Sequence, residues 1–281
     1  MRDLLKKILM TLSPTYRKVD AIQAYQLKLQ SDLNKVLRMF LSRQDGIADS
    51  FELKSGFEIN HMAPLTPNPK NTEHWHMYYN LAEKVGKRDF GTYFQPVLDK
   101  HPSISYEKVL DFACGFGRIA EIFASFSDNI TLCDINKLAI DHCKKRFADY
   151  VSKQSSSCSF EFCVSDNSLT LPFDDKSFSF IYSWDAMVHF SYKWFDYYLG
   201  EFYRISRTGA YVFIHHSNLA NVDSETDKSE NWADNPHGRT NITAHDIARL
   251  AKMHGFRVVE QNVIDWGITN LDCITLLMRE S

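Results

Sequence analysis

Lys108-Val109-Leu110-Asp111-Phe112-Ala113-Cys114-Gly115-Phe116-Gly117-Arg118 is the stretch that decides how this chain folds. An apolar run with β-branched character ends at an acid, and two glycines separated by one residue follow it. A helical pattern then opens at Arg118-Ile119-Ala120-Glu121-Ile122-Phe123. Strand, glycine turn and helix place backbone N–H groups at the carboxyl end of a parallel strand, facing whatever binds there. Glycine suits the turn because the backbone must bend sharply and let a ligand come close.

Downstream, apolar runs alternate with helical patterns. Strands are expected at Asn129–Asp134, Ser159–Val164, Phe178–Ser183 and Ala210–His215, and helices at Lys137–Tyr150, Tyr192–Ile205 and Ala244–His254. Such alternation predicts an α/β, doubly wound, mostly parallel sheet with helices on both faces. Two further runs, Arg257–Ile264 and Asp272–Met278, bring the sheet to seven strands. Only Trp266–Leu271 separates them, too short for a crossover helix, so they must pair as an antiparallel hairpin. Gly115-x-Gly117-x-x-Ala120 also fits the G-x-G-x-x-A dinucleotide fingerprint. Asp111 argues against that ligand, because a carboxylate at the strand end repels a pyrophosphate and suits a group bearing an ammonium.

Upstream lies an N-terminal helical extension, assigned to residues 1–60, with the main domain over 61–281. Apolar residues recur at helical spacing from Tyr16 to Leu41, and Ile22, Leu29 and Val36 stand seven apart. That face packs on its own domain or pairs with a second copy as a homodimer contact. Lys6 and Lys7 suit at most a weak contact with a membrane surface. No uninterrupted apolar run marks a signal peptide or transmembrane segment. Residues 44–72 are punctuated by Gly46, Gly56, Pro64, Pro67 and Pro69. A helical stretch, Asn71–Tyr79, then carries Trp75 and Tyr78, read as cleft residues or as core. Net charge over the 281 residues is −3, so a nucleic-acid partner is not expected. The six cysteines form no C-x-x-C pair and are read as reduced thiols of a cytoplasmic protein.

Asp111, Ala113, Gly115 and Gly117, together with Asp134 at the second strand end and the terminal hairpin, resemble the class I S-adenosylmethionine-dependent methyltransferases. The resemblance covers about residues 105–281, and it implies a Rossmann-like methyltransferase fold and S-adenosyl-L-methionine as cofactor. It assigns the turn to the methionine part of the cofactor, although the family usually has glycine where Ala113 stands. It assigns Asp134, with Ile135 beside it, to the ribose, since two carboxylate oxygens match a vicinal diol. Asp166 and Asn167 fall near the adenine, Ser183 and Trp184 at the methionine end, and Trp75 and Tyr78 in a lid. Acids at strand ends also cap turns, so each alone has a structural alternative.

On the acceptor side, a hydroxyl nucleophile needs a base, and histidine suits that task near neutral pH. Candidate catalytic residues are His189 first, then His215 and His216, together with Asp185. His237 and Arg239 are candidate acceptor-binding residues, Arg239 toward an anionic group. Asp185 and the histidines show no diagnostic ligand spacing, and no metal is assigned. The segment from Lys6 to Arg17 resembles the leader of bacterial proteins that build surface polysaccharides. The catalytic part resembles methyltransferases of such gene clusters. These resemblances imply a glycan or other small-molecule acceptor in capsule or lipopolysaccharide biosynthesis, with a phosphate-type substituent as the alternative. A NAD-dependent oxidoreductase and a non-catalytic cofactor-binding protein are the remote readings.

Overall fold

A computed structural model describes residues 83–154, 157–165, 170–222 and 238–280. The N-terminal extension, the boundary near residue 60, the Ile22–Val36 face, Trp75, Tyr78, Asp166, Asn167 and His237 lie outside the described residues.

Among the described residues seven strands form one sheet: β1 (Lys108–Phe112), β2 (Asn129–Asp134), β3 (Ser159–Val164), β4 (Phe178–Ser183), β5 (Ser206–Ser217), β6 (Phe256–Ile264) and β7 (Asp272–Arg279). Their spatial order is β3-β2-β1-β4-β5-β7-β6. The first five are parallel, and β7 runs antiparallel to both β5 and β6. The predicted doubly wound sheet and its terminal hairpin are therefore present, with β7 inserted between β5 and β6. β1 and β4 are buried almost throughout, as expected of parallel strands covered on both faces.

Alternate residues point to opposite faces. Val109, Phe180, Tyr182 and Phe213 join the core on one face, while Leu110, Ile181, Val212 and Ile214 join the core on the other. The second core is closed by the helices Tyr192–Ile205 and Ala244–Met253. A capping box starts the latter: the Thr243 hydroxyl accepts from the Asp246 N–H, and Asp246 accepts from the Thr243 N–H.

The first core receives a helical stretch the sequence pattern conceals. It comprises α1 (Gly86–Asp89), a π-helical turn (Phe90–Phe94) and α2 (Gln95–Leu98). Gly86, Gly91 and Pro96 interrupt its periodicity. Phe94 nonetheless stacks on Phe213 with centroids 4.2 Å apart, both rings fully buried. Each ring contributes roughly 1.5–3 kcal/mol by leaving water. The helix expected from Arg118 is much shorter than its pattern: only α3 (Ala120–Phe123) is regular. Bonds of the i→i−3 type, such as Ile122 N–H to Ile119 C=O at 3.0 Å, tighten it at once. α4 (Lys137–Gln154) continues one turn past the predicted end. The helices Tyr192–Ile205 and Ala244–Met253 become α5 and α6. No helix among the described residues is long and apolar enough to cross a membrane.

Candidate active site

β1 and β2 end side by side, and their terminal acids organise the glycine turn. Asp111 and Asp134 are both buried. The Asp134 carboxylate accepts the Gly115 N–H at 2.9 Å and the Asn136 N–H at 2.8 Å, one on each oxygen. Burial raises its carboxyl, against the opposing pull of these backbone N–H groups. The Ile135 N–H bonds this carboxylate as well, and with about four lone-pair sites the group keeps accepting capacity for a hydroxyl. The acid the sequence assigns to ribose is thus held in orientation by the turn it faces. Ile135 follows it directly. Ala113, Gly115 and Gly117 adopt φ of 58°, 54° and 71°. Ala113 therefore holds, with a methyl group, a backbone conformation that glycine adopts without cost. A Cβ on Gly117 would lie 2.8 Å from both Leu132 Cδ2 and Phe147 Cε2. Outside the turn, Phe116 stacks on His142 at 3.8 Å, and Arg146 donates to the Phe116 carbonyl.

Asp111 differs from Asp134 in that no backbone N–H of the described residues donates to its carboxylate. Burial lifts its carboxyl to about 7, with Asp134 adding to the rise and the Tyr182 hydroxyl and Arg118 opposing it. The unfolded carboxyl titrates near 4. Between about 4 and 7 the folded state therefore holds more protons than the unfolded chain, and stability falls as pH rises through that window. Asp111→Asn removes this slope. The variant is expected to gain stability over the parent, on the order of a few kcal/mol at pH 8 and little at pH 4. Urea midpoints at the two pH values check it, and parallel pH curves would refute it.

A second group of polar side chains gathers at the carboxyl ends of β4 and β5 and the start of β7. Asp185, two residues past β4, has φ 56°. Its Oδ2 receives Arg118 Nη2 at 3.0 Å, and its Oδ1 lies 3.9 Å from Arg239 Nη2. Arg239 grips Asp272 with Nε at 3.0 Å and Nη2 at 2.6 Å. Asp272 also contacts His215 Nε2 at 3.0 Å, and His215 Nδ1 receives the Asp185 N–H at 3.3 Å. Burial alone would raise the Asp272 carboxyl, but His215 and Arg239 outweigh it and hold it well below the usual range. Arg239, expected to face an anionic acceptor, is instead buried and committed to Asp272.

The three candidate histidines separate. His189 ends a 3₁₀ turn (Met187–His189) and places Nδ1 2.9 Å from the Gly238 carbonyl. That carbonyl only accepts, so Nδ1 carries the proton, and in the neutral ring Nε2 is the basic nitrogen. His215 stacks on Trp184 at 4.4 Å, on the face that carries Tyr182. His216 points to the other face, against Phe195, with Nδ1 2.8 Å from Ser217 O and Nε2 2.7 Å from Thr275 Oγ1. Burial pushes its pKa down to about 4. His216 therefore faces away from His215 and the Asp185 N–H that His215 meets, because neighbouring strand residues face opposite ways.

Several residues of this group escape sequence reasoning. Tyr93 comes from the π-helical turn and packs on Trp184 at 5.4 Å and Trp266 at 5.6 Å. Trp266 lies in the β6–β7 loop, beneath the Arg239 guanidinium. Arg118 and Asp272 carry no motif, although an acid opening the last strand beside Cys273 is a weak signal in retrospect. Ser183 Oγ and Trp184 Nε1, at the end of β4, are buried polar atoms without a hydrogen-bond partner among the described residues.

Residues 109–209 match a family model described as a methyltransferase domain. The chain carries a methyltransferase domain. The match runs from β1 into β5, so it includes Asp111, Gly115, Gly117, Asp134, Asp185 and His189. His215, Arg239, Trp266 and Asp272 lie beyond it. No curated protein sequence matches the chain. Among solved structures, a protein from Pyrococcus horikoshii is 19% identical, with TM-score 0.51 over 69% of this chain and 91% of that one. A S-adenosylmethionine-dependent methyltransferase from Methanosarcina mazei is 17% identical, with TM-score 0.51 over 66% and 97%. Magnesium protoporphyrin IX methyltransferase from Synechocystis, with bound S-adenosylhomocysteine, is 11% identical, with TM-score 0.53 over 70% and 84%. At these identities the likeness establishes the fold of the methyltransferase domain.

Proposed function

We propose that the methyltransferase domain transfers the methyl group of S-adenosylmethionine to a hydroxyl of a sugar or sugar-linked group in a bacterial surface glycan. The observation that carries the cofactor side is Asp134, a buried carboxylate oriented by the Gly115 N–H of the turn and by the Asn136 and Ile135 N–H groups, with accepting capacity left over. Gly115 and Gly117 shape the turn for the methionine part, and Asp111 offers negative charge to its ammonium. Bound there, S-adenosylmethionine supplies a methyl group activated by its sulfonium. The residues of the chain hold the acceptor hydroxyl in line, about 3 Å from the methyl carbon, and take its proton. His189 is the proposed base: its Nδ1–H is anchored on Gly238, which orients the ring and directs Nε2 to the proton.

The aromatic group of Tyr93, Trp184 and Trp266 suits the apolar face of a sugar ring. The surface-glycan assignment rests on the resemblance of the Lys6–Arg17 segment and of the catalytic part to proteins of such gene clusters. An anionic, phosphate-type acceptor is less favoured, since Arg118 and Arg239 are each ion-paired with a carboxylate.

Calorimetric titration tests the cofactor. The parent protein is expected to bind S-adenosylmethionine and not NAD. Asp134→Ala is expected to weaken that binding by about 1.5–3 kcal/mol, the range for hydrogen bonds to a charged group. Unchanged affinity in the variant, or preference for NAD, refutes the assignment.

A further inference from the structure

A connected set of buried groups ends at one partly exposed carboxylate. Asp272 and His215 are fully buried and Arg239 nearly so, whereas the Asp185 side chain keeps 15% of its surface. The linkage between them fixes a proton. A backbone N–H can only donate, so the bond from Asp185 N–H makes His215 Nδ1 an acceptor. The ring is then neutral, with its hydrogen on Nε2, donated to Asp272. Trp184 covers the ring at 4.4 Å and Trp266 approaches it at 5.0 Å. Both nitrogens are committed inside the protein, and neither is placed to take a proton from an acceptor.

Asp185 itself is strained. A non-glycine residue at φ 56° persists only where its surroundings over-determine it, and such residues gather at functional sites. Here the surroundings are His215 at its N–H, Arg118 at Oδ2 and Arg239 beyond hydrogen-bond reach of Oδ1. The residue stands just past a β4 carboxyl end, where open α/β sheets bind their ligands. An ionised carboxylate accepts hydrogen bonds and donates none. An anion approaching Asp185 would meet like charge, with both neighbouring guanidiniums already engaged.

We propose that Arg239, Asp272 and His215 are positioning residues that hold Asp185 in its left-handed conformation, so that its carboxylate accepts a hydrogen bond from a neutral, hydroxyl-bearing acceptor. This rests on the methyltransferase reading above and deepens its acceptor side. His215 acts through Asp185 and not as a base.

Two measurements on the full chain test it. Nitrogen-15 NMR of histidine-labelled protein at pH 7.5 is expected to show His215 as the Nε2-protonated tautomer; the opposite tautomer overturns the relay. Turnover is then followed as S-adenosylhomocysteine formation, with methyl glycosides as neutral probes and methyl phosphate as the anionic one. The glycosides are expected to react. Asp185→Asn and His215→Ala are expected to raise KM by about ten- to a hundred-fold, the cost of one charged hydrogen bond. The affinity for S-adenosylhomocysteine should stay within about twofold. His215→Gln offers an acceptor and a donor again, and is expected to recover most of the loss seen in His215→Ala. A base would instead lose kcat and not be rescued by an amide. Asp185→Gly keeps the left-handed backbone without the carboxylate, so the same KM rise in that folded variant isolates the charge. Turnover of methyl phosphate alone, turnover of neither probe, or an unmoved KM in Asp185→Asn overturns the proposal. Failure of the parent to bind S-adenosylhomocysteine counts against the methyltransferase reading instead.

Discussion

His189→Ala is expected to lower turnover by about 10²–10⁴-fold, the usual contribution of a general base, with cofactor affinity nearly unchanged. His189→Gln should fare little better. Its amide can still donate to the Gly238 carbonyl, which His189 now contacts at 2.9 Å, but it cannot take a proton. The pair of variants therefore separates proton transfer from the anchoring of the 238–240 segment. That segment is anchored independently as well, because Thr240 Oγ1 donates to the Phe190 carbonyl at 2.7 Å. Single-turnover assays with saturating cofactor check the chemical step. Full turnover in both variants would mean that the acceptor needs no base. A phosphate-type oxygen, already ionised at neutral pH, is such an acceptor, and the bet on a sugar hydroxyl would fall with the base.

Gly117→Ala is expected to destabilise the fold by roughly 3–4 kcal/mol. About 1–2 kcal/mol comes from placing an L-residue at φ 71°. The rest is overpacking, typically about 1–3 kcal/mol, because the new methyl would sit 2.8 Å from Leu132 and Phe147. Both neighbours are buried in the core between β2 and α4 and cannot swing aside. Gly209→Ala is the control: its φ is 77°, but nothing lies within 4 Å of the added carbon. It is expected to show the conformational cost alone. Equal urea midpoints for the two variants would refute the steric part. Since single domains are stable by only about 5–15 kcal/mol, the Gly117 variant should unfold at a visibly lower temperature.

Much of the cofactor side was legible in the chain because its geometry is local. Asp111, Gly115 and Gly117 lie within seven positions of one another, and Asp134 ends the next strand. Strand–turn geometry alone brings these ends together at the carboxyl end of the sheet. Hydrophobic runs and loop lengths likewise specified the parallel sheet and its terminal hairpin, because a seven-residue link cannot cross over. The acceptor side was decided by pairing over long separations. Arg118 meets Asp185 across 67 positions, and His215 meets Asp272 across 57. No local pattern records such contacts. The alternation of a strand says that His215 and His216 face opposite ways, but only the insertion of β7 beside β5 decides that His215 meets an acid and His216 a threonine. Tyr93 was hidden for a different reason: Gly86, Gly91 and Pro96 break the periodicity of a helix that tertiary packing of Phe94 on Phe213 holds in place. Side-chain identity marked the residues able to do chemistry. The sheet order determined which of them touch, because hydrogen bonds and ion pairs form only between groups that the packed strands bring within about 3 Å.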